Sequence, residues 1–272
     1  MGLLSLKKRL LNLKLFQKEH KLLLKTNDYL NLRKSLLMKK LILASTSTIY
    51  GSGYLEYILD ELDVLYQNIS EITFIPYARP NGISHQAYTE LVRKAFAKID
   101  KKIIGLDTFE SPVDAIKNSE AIFTGGGNTF VLLNQLYKNH LMSCLKDAIN
   151  NGIPYLGTSA GSNICGLTIN TTNDMPIVYP PSFKALSIVP FNINPHYLDP
   201  IPNSHHMGET RETRITEFHH FNTQPVVGLR EGNWIEISGN QITLRGINQT
   251  RIFEYNKLPY EVDLNTSLNY LK

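Results

Sequence analysis

The pentapeptide Gly157-Thr158-Ser159-Ala160-Gly161 sets one serine between two glycines, directly after a short apolar run and before a helical stretch. A G-x-S-x-G at a sharp strand-to-helix turn exposes the serine Oγ, and the small flanking residues permit the close backbone approach that such a turn needs. The helix start behind Ser159 offers N–H groups and a positive dipole end to negative charge developing at an attacked carbonyl. The plain alternative is a tight turn with a capping serine, and the strand-to-helix context favours the nucleophile. A second loop, Gly125-Gly126-Gly127-Asn128-Thr129, also falls between a strand end and a helix start. Three glycines free the backbone to point N–H groups at a ligand. A phosphate loop would need the G-x-x-x-x-G-K-[ST] lysine or a full G-x-G-x-x-G, and both are missing here. An oxyanion hole built from the Gly127 or Gly126 N–H together with that of Ala160 fits better, with Asn128 and Thr158 beside it as substrate-binding positions.

A serine nucleophile needs a base, and the base needs an acid that fixes its tautomer. His196, in Asn194-Pro195-His196-Tyr197, follows the apolar run 188–193 and stands where a strand would deliver it to the active edge. The other histidines, at 20, 85, 140, 205, 206, 219 and 220, lie in helical or polar stretches. The pairs 205/206 and 219/220 lack a cysteine or carboxylate pattern that would complete a metal site, so no metal or other cofactor is expected. Asp174, in Thr172-Asn173-Asp174-Met175-Pro176, is restrained by the proline and lies between serine and histidine in the chain, as an orienting carboxylate could. Arg211 follows Thr210, an expected N-cap, and a cation at a helix start opposes the dipole. Either it meets an anionic ligand as a bidentate fork, or Glu209 or Glu212 neutralises it.

These residues require parallel strands whose carboxyl ends share one edge. From Met38 onward the chain alternates apolar strand runs (41–45, 72–75, 103–106, 121–124, 155–158) with helical patterns (54–65, 86–99, 112–118, 130–137, 141–150). That rhythm predicts an α/β fold, a mainly parallel sheet with helices on both faces. The runs 226–229, 234–237, 241–244 and 251–255, with a Gly239-Asn240 turn, predict an antiparallel meander closing one sheet edge.

The chain has 272 residues and a formal charge of +4, yet residues 1–37 carry +7 and the remainder −3. A mildly acidic body argues against a nucleic-acid groove. Residues 1–37, rich in Leu and Lys, lack the uninterrupted apolar core of a signal peptide and are expected to stand outside the fold, with 38–272 as a single catalytic domain. The other readings of that segment are a basic helix on a membrane surface or a targeting role. Two cysteines suit a reducing cytoplasm, and no apolar stretch is long enough for membrane insertion.

Taken together the motifs G-G-G-N-T at 125–129, G-x-S-A-G at 157–161, N-D-M-P at 173–176, N-P-H at 194–196 and G-E-T-R at 208–211 resemble the peptidase E family, the aspartyl dipeptidases of the S51 serine peptidases. The resemblance spans residues 38 to about 255 and implies a flavodoxin-like fold similar to class I glutamine amidotransferases. It further implies a cytoplasmic enzyme without cofactor that acts on dipeptides bearing N-terminal aspartate. The family's catalytic serine, aspartate and histidine fall on Ser159, Asp174 and His196, and its carboxylate-binding arginine on Arg211. One departure is Thr158, where the family often has tryptophan, so the pocket wall beside the serine is expected to differ. A cyanophycinase-like hydrolase of aspartyl polymers and a silent binding protein of the same fold are the rival readings. Monomer and homodimer stay open.

Overall fold

The computed structural model describes residues 38–80, 82–200, 205 and 207–272. The basic segment 1–37, with His20, and His206 lie outside the described residues. In chain order the strands and helices are β1 (Lys40–Ala44), α1 (Leu59–Leu65), β2 (Glu71–Ile75), α2 (His85–Phe96), β3 (Lys102–Gly105), α3 (Pro112–Lys117), β4 (Ile122–Thr124), α4 (Thr129–Lys138), α5 (Leu141–Asn150), β5 (Tyr155–Thr158), α6 (Ala160–Asn163), β6 (Asn192–Pro195), α7 (Arg211–Phe218), β7 (Val226–Leu229), β8 (Trp234–Ser238), β9 (Gln241–Arg245), β10 (Thr250–Phe253) and β11 (Tyr260–Val262).

Side chains alternate across a strand, so a sheet covered on both faces needs strands that are apolar at nearly every position. β1 shows this. Leu41 and Leu43 join one apolar layer with Ile116 of α3, Leu133 of α4 and Leu145 of α5, while Ile42 and Ala44 join the other with Leu62 of α1 and Val92 and Phe96 of α2. Helices therefore cover both faces. The main sheet runs β3-β2-β4-β5-β1-β8-β9; the pairings among β3, β2, β4, β5 and β1 are parallel, and β8 and β9 add an antiparallel edge. All five parallel strands end on one edge, which is where such sheets bind ligands.

The C-terminal strands depart from the expected meander. Only β8 and β9, joined through the Gly239-Asn240 turn with Gly239 at φ 60°, close the main sheet. β7 and β10 belong to a second sheet of order β11-β10-β7-β6, in which β6 and β7 run parallel. Val227, Leu229 and Ile252 pack into the same layer as α3, α4 and α5, whereas Val226 and Phe253 face Tyr197 and Ile215 of α7. A strand of four residues buried on both sides carries no period that says which sheet it joins. The strand expected across 188–193 begins only at Asn192. The expected helix 86–99 ends as a 3-10 turn at Ala97–Ile99, and 54–65 opens with one at Glu56–Ile58.

Candidate active site

Ser159 stands in the turn between β5 and α6 with φ 52° and ψ −110°, a conformation that costs a non-glycine residue free energy and persists where its surroundings enforce it. Its N–H is fixed on the Ala44 carbonyl at the end of β1 (3.0 Å). His196 follows β6, also at positive φ (53°). Ser45, just past β1, anchors it: the His196 N–H donates to Ser45 Oγ (2.9 Å), and that hydroxyl donates to the Leu229 carbonyl at the end of β7 (2.8 Å). One serine thus ties the ends of β6 and β7 to the main sheet.

His196 Nε2 lies 3.0 Å from Ser159 Oγ, and His196 Nδ1 lies 2.6 Å from Glu231 Oε1. An ionised carboxylate can only accept, so Nδ1 carries the hydrogen and Nε2 presents its lone pair to the serine hydroxyl. This is the arrangement a general base needs.

The acid on the histidine is thus Glu231, in the turn between β7 and β8, and the expectation for Asp174 is corrected. Asp174 Oδ2 accepts from the Thr129 N–H at the start of α4 (2.7 Å) and from Thr172 Oγ1 (3.1 Å). A carboxylate at a helix N-terminus meets unpaired N–H groups and the positive dipole end, which accounts for its place. Asn128 is committed nearby: its Oδ1 accepts from the Val131 N–H as the N-cap of α4 (3.1 Å), and its Nδ2 donates to the Met175 carbonyl (2.9 Å). Thr158 is fully buried, so it is a core residue and not the pocket wall expected.

Around the nucleophile the backbone offers donors. Among the described residues, no acceptor lies on the N–H groups of Gly126, Gly127 or Ala160. A Cβ added at Gly126 would stand 3.0 Å from Ser159 Cβ and 3.6 Å from its Oγ, so this loop lies against the serine. Gly127, at φ +147°, could carry no side chain, because a Cβ there would run into the Ala78 carbonyl.

Thr210 caps α7, its Oγ1 accepting from the Thr213 N–H at 3.0 Å, so Arg211 is the first helical residue. The neutralising partners considered for it are engaged elsewhere: Glu212 holds Arg251 at 2.9 Å and Glu209 lies 3.8 Å from Arg214. Among the described residues no carboxylate is within ion-pair distance of Arg211. Partial burial lowers its pKa and the charge of Arg214 adds to this, while Asp174 acts in the opposite direction. A half-buried cation with no direct ion pair suits an anionic ligand.

Arg230, next to Glu231, clamps this region. Its guanidinium bonds Asp199 through Nε and Nη2 (both 2.7 Å), Glu261 through Nη1 and Nη2 (2.8 and 2.9 Å), and the Gln249 carbonyl (2.7 Å). Asp199 lies three residues beyond His196, so the clamp holds both loops that carry the base and its acid. Hydrogen bonds from Arg230 hold the carboxyls of Asp199 and Glu261 below their usual range. Groups with depressed folded pKa values stabilise the fold above the unfolded carboxylate range and lose that contribution as pH falls through the folded values. Arg230→Met is therefore expected to melt below the wild type at pH 7, with the gap narrowing in acid; thermal melts at pH 7 and 3 check this.

The sequence reading missed Glu231 and Ser45. Arg230-Glu231-Gly232 has the composition of an ordinary surface turn, and only the parallel pairing of β6 with β7 reveals that it faces His196. Of the paired histidines, His219 donates from Nε2 to the Gln224 carbonyl (3.0 Å) and His205 is exposed. No group of three metal-ligating side chains occurs among the described residues.

The family model described as Peptidase family S51 matches residues 41–245. Peptidase E of Streptomyces coelicolor is 43% identical over 231 residues, covering 85% of this chain and 94% of that protein. A Drosophila melanogaster protein described as "Probable alpha-aspartyl dipeptidase" is 43% identical over 219 residues, 79% of this chain and 90% of its own. In fold, the crystal structure of a peptidase from an acI-B1 Actinobacterium superposes with a TM-score of 0.65 at 16% identity, over 86% of this chain and 98% of that one.

Proposed function

This chain belongs to peptidase family S51, and we propose on that footing that it is a serine exopeptidase hydrolysing Asp-X dipeptides through an acyl-enzyme. The observation that carries the reading is the continuous line from Ser159 Oγ through His196 to Glu231, at 3.0 and 2.6 Å, beside a glycine loop that lies against the serine and whose Gly126 and Gly127 N–H groups, like that of Ala160, have no acceptor among the described residues. His196 removes the serine proton as Oγ attacks the aspartyl carbonyl, and Glu231 stabilises the imidazolium that forms. The N–H groups of Gly127, Gly126 and Ala160 receive the negative charge on the carbonyl oxygen. His196 then gives its proton to the leaving amine. Water, activated by the same imidazole, attacks the ester and frees aspartate and Ser159.

An N-terminal aspartyl residue brings an ammonium group and a side-chain carboxylate. Arg211 supplies a cation with no carboxylate in ion-pair contact among the described residues, and Asp174, close enough to influence it, supplies the opposite charge. We assign the substrate carboxylate to Arg211 and the ammonium to Asp174. Arg211→Ala is expected to lower kcat/KM on Asp-Leu by about 10–100-fold, the worth of hydrogen bonds to a charged group, while leaving Ala-Leu nearly unchanged. Steady-state rates on the two dipeptides check it, and equal losses on both would remove Arg211 from the pocket.

Catalysis is assigned to residues 38–272, since the family match begins at residue 41. Both cysteines, Cys144 and Cys165, are free and buried, which supports a reducing cytoplasm as the place of action. Among the described residues no helix is long and apolar enough to cross a membrane.

A further inference from the structure

The Gly126 carbonyl is held by two side chains that the reaction scheme above leaves unused. Tyr88 of α2, almost fully buried, donates from Oη at 3.1 Å. Arg79, in the loop after β2, donates from Nε at 3.2 Å. The two donors support each other: the guanidinium carbon lies 5.1 Å from the centre of the Tyr88 ring, within range of a cation–π contact. Tyr54 donates its hydroxyl hydrogen to Tyr88 Oη (3.4 Å), which leaves the Tyr88 hydrogen for Gly126. Phe74 fixes the Tyr88 ring edge-on at 5.0 Å. The first glycine of the loop makes room for this contact, because a Cβ at Gly125 would stand 2.6 Å from Tyr88 Oη.

A peptide group is planar, and in the trans form its C=O and N–H point in opposite directions. The described residues contain no cis peptide. Fixing the Gly126 oxygen therefore fixes the direction of the Gly127 N–H, which belongs to the same peptide and has no acceptor among the described residues. The backbone is tied on either side, by the Gly125 N–H to the Ile75 carbonyl (3.2 Å) and the Asn128 N–H to the Ala78 carbonyl (2.7 Å), which leaves the peptide plane between two glycines to be set by its own contacts, and an oxyanion donor contributes only when it is already aimed. A charged donor on the carbonyl also polarises the amide and strengthens its N–H. We propose that Arg79 and Tyr88 are positioning residues that hold the peptide between Gly126 and Gly127 with its N–H turned toward the oxyanion. The assignment rests on the proposed serine peptidase chemistry and deepens it.

The test is the full chain carrying Arg79→Met, Tyr88→Phe or both, measured for kcat and KM on Asp-Leu. Losing an oxyanion donor outright costs about 10²–10³ in rate, so loosening one of its two anchors is expected to lower kcat by about 10-fold and loosening both by about 100-fold. KM stays within about two-fold, and calorimetric affinity for Asp-Leu in the Ser159→Ala background is unchanged, since the ground-state carbonyl gains little from the hole. Arg79→Lys, whose ammonium can still reach the Gly126 oxygen, recovers most of kcat. A rise in KM at unchanged kcat would make Arg79 a substrate contact and overturn the proposal, as would unchanged kinetics in the double variant. Should Tyr88→Phe fail to fold, the exposed Arg79 decides alone. The rate at which a small fluorophosphonate labels Ser159 follows the same order among the variants whatever peptide is preferred. If the wild type left Asp-Leu uncleaved while that order held, the peptide assignment would fail and the positioning role would stand.

Discussion

Glu231→Gln is expected to lower kcat on Asp-Leu by about 10⁴, the loss that follows when a triad acid becomes its amide, while Asp174→Asn keeps most of kcat and raises KM. Glu231 is the carboxylate at 2.6 Å from His196 Nδ1. A glutamine there retains the shape but cannot stabilise an imidazolium, and its amide nitrogen can turn toward Nδ1 and impose the wrong tautomer. Asp174 instead serves the first turn of α4 through the Thr129 N–H. Its conversion to asparagine removes the charge at that helix end, worth about 0.3–1 kcal/mol, and with it the charge assigned to the substrate ammonium. Separate kcat and KM values for the two variants check the assignment. A larger kcat loss in Asp174→Asn than in Glu231→Gln would return the orienting role to the aspartate.

Ser159→Ala is expected to lower kcat by at least about 10⁴, as removal of a catalytic nucleophile does, with little effect on the fold. Among the described residues the side chain makes one hydrogen bond, to His196, so its loss costs about 1 kcal/mol or less, and the backbone bond to Ala44 is retained. Melting within about 3 °C of the wild type is the expected companion result. Turnover that survived in this variant would place the nucleophile elsewhere.

The parallel half of the fold was legible because buried strands and covering helices write different periods. The runs at 41–45, 72–75 and 155–158 and the helix Leu141–Asn150 match what forms. The second sheet was not legible, since β7 and β10 are four residues each and join distant partners. In the site, Ser159 and His196 stood out by local context and meet at 3.0 Å. Their acid did not, because nothing local marks Glu231, and the partnership depends on β7 lying parallel to β6. The Asn173-Asp174-Met175-Pro176 segment misled for a physical reason. It is a restrained segment, but what restrains it is the N-terminus of α4, through Thr129 and Asn128. Thr158 drew notice by sitting next to the nucleophile, yet a strand end in a two-faced sheet is buried, and so is this residue.

The most direct test of the account is kcat/KM of the purified chain on Asp-Leu, Glu-Leu, Ala-Leu and Asp-Leu-Leu. The prediction is fast cleavage of Asp-Leu, with Ala-Leu lower by about 10² for want of the Arg211 contact and the tripeptide poorly used. Comparable rates on Asp-Leu and Ala-Leu, or a preference for the longer peptide, would contradict it.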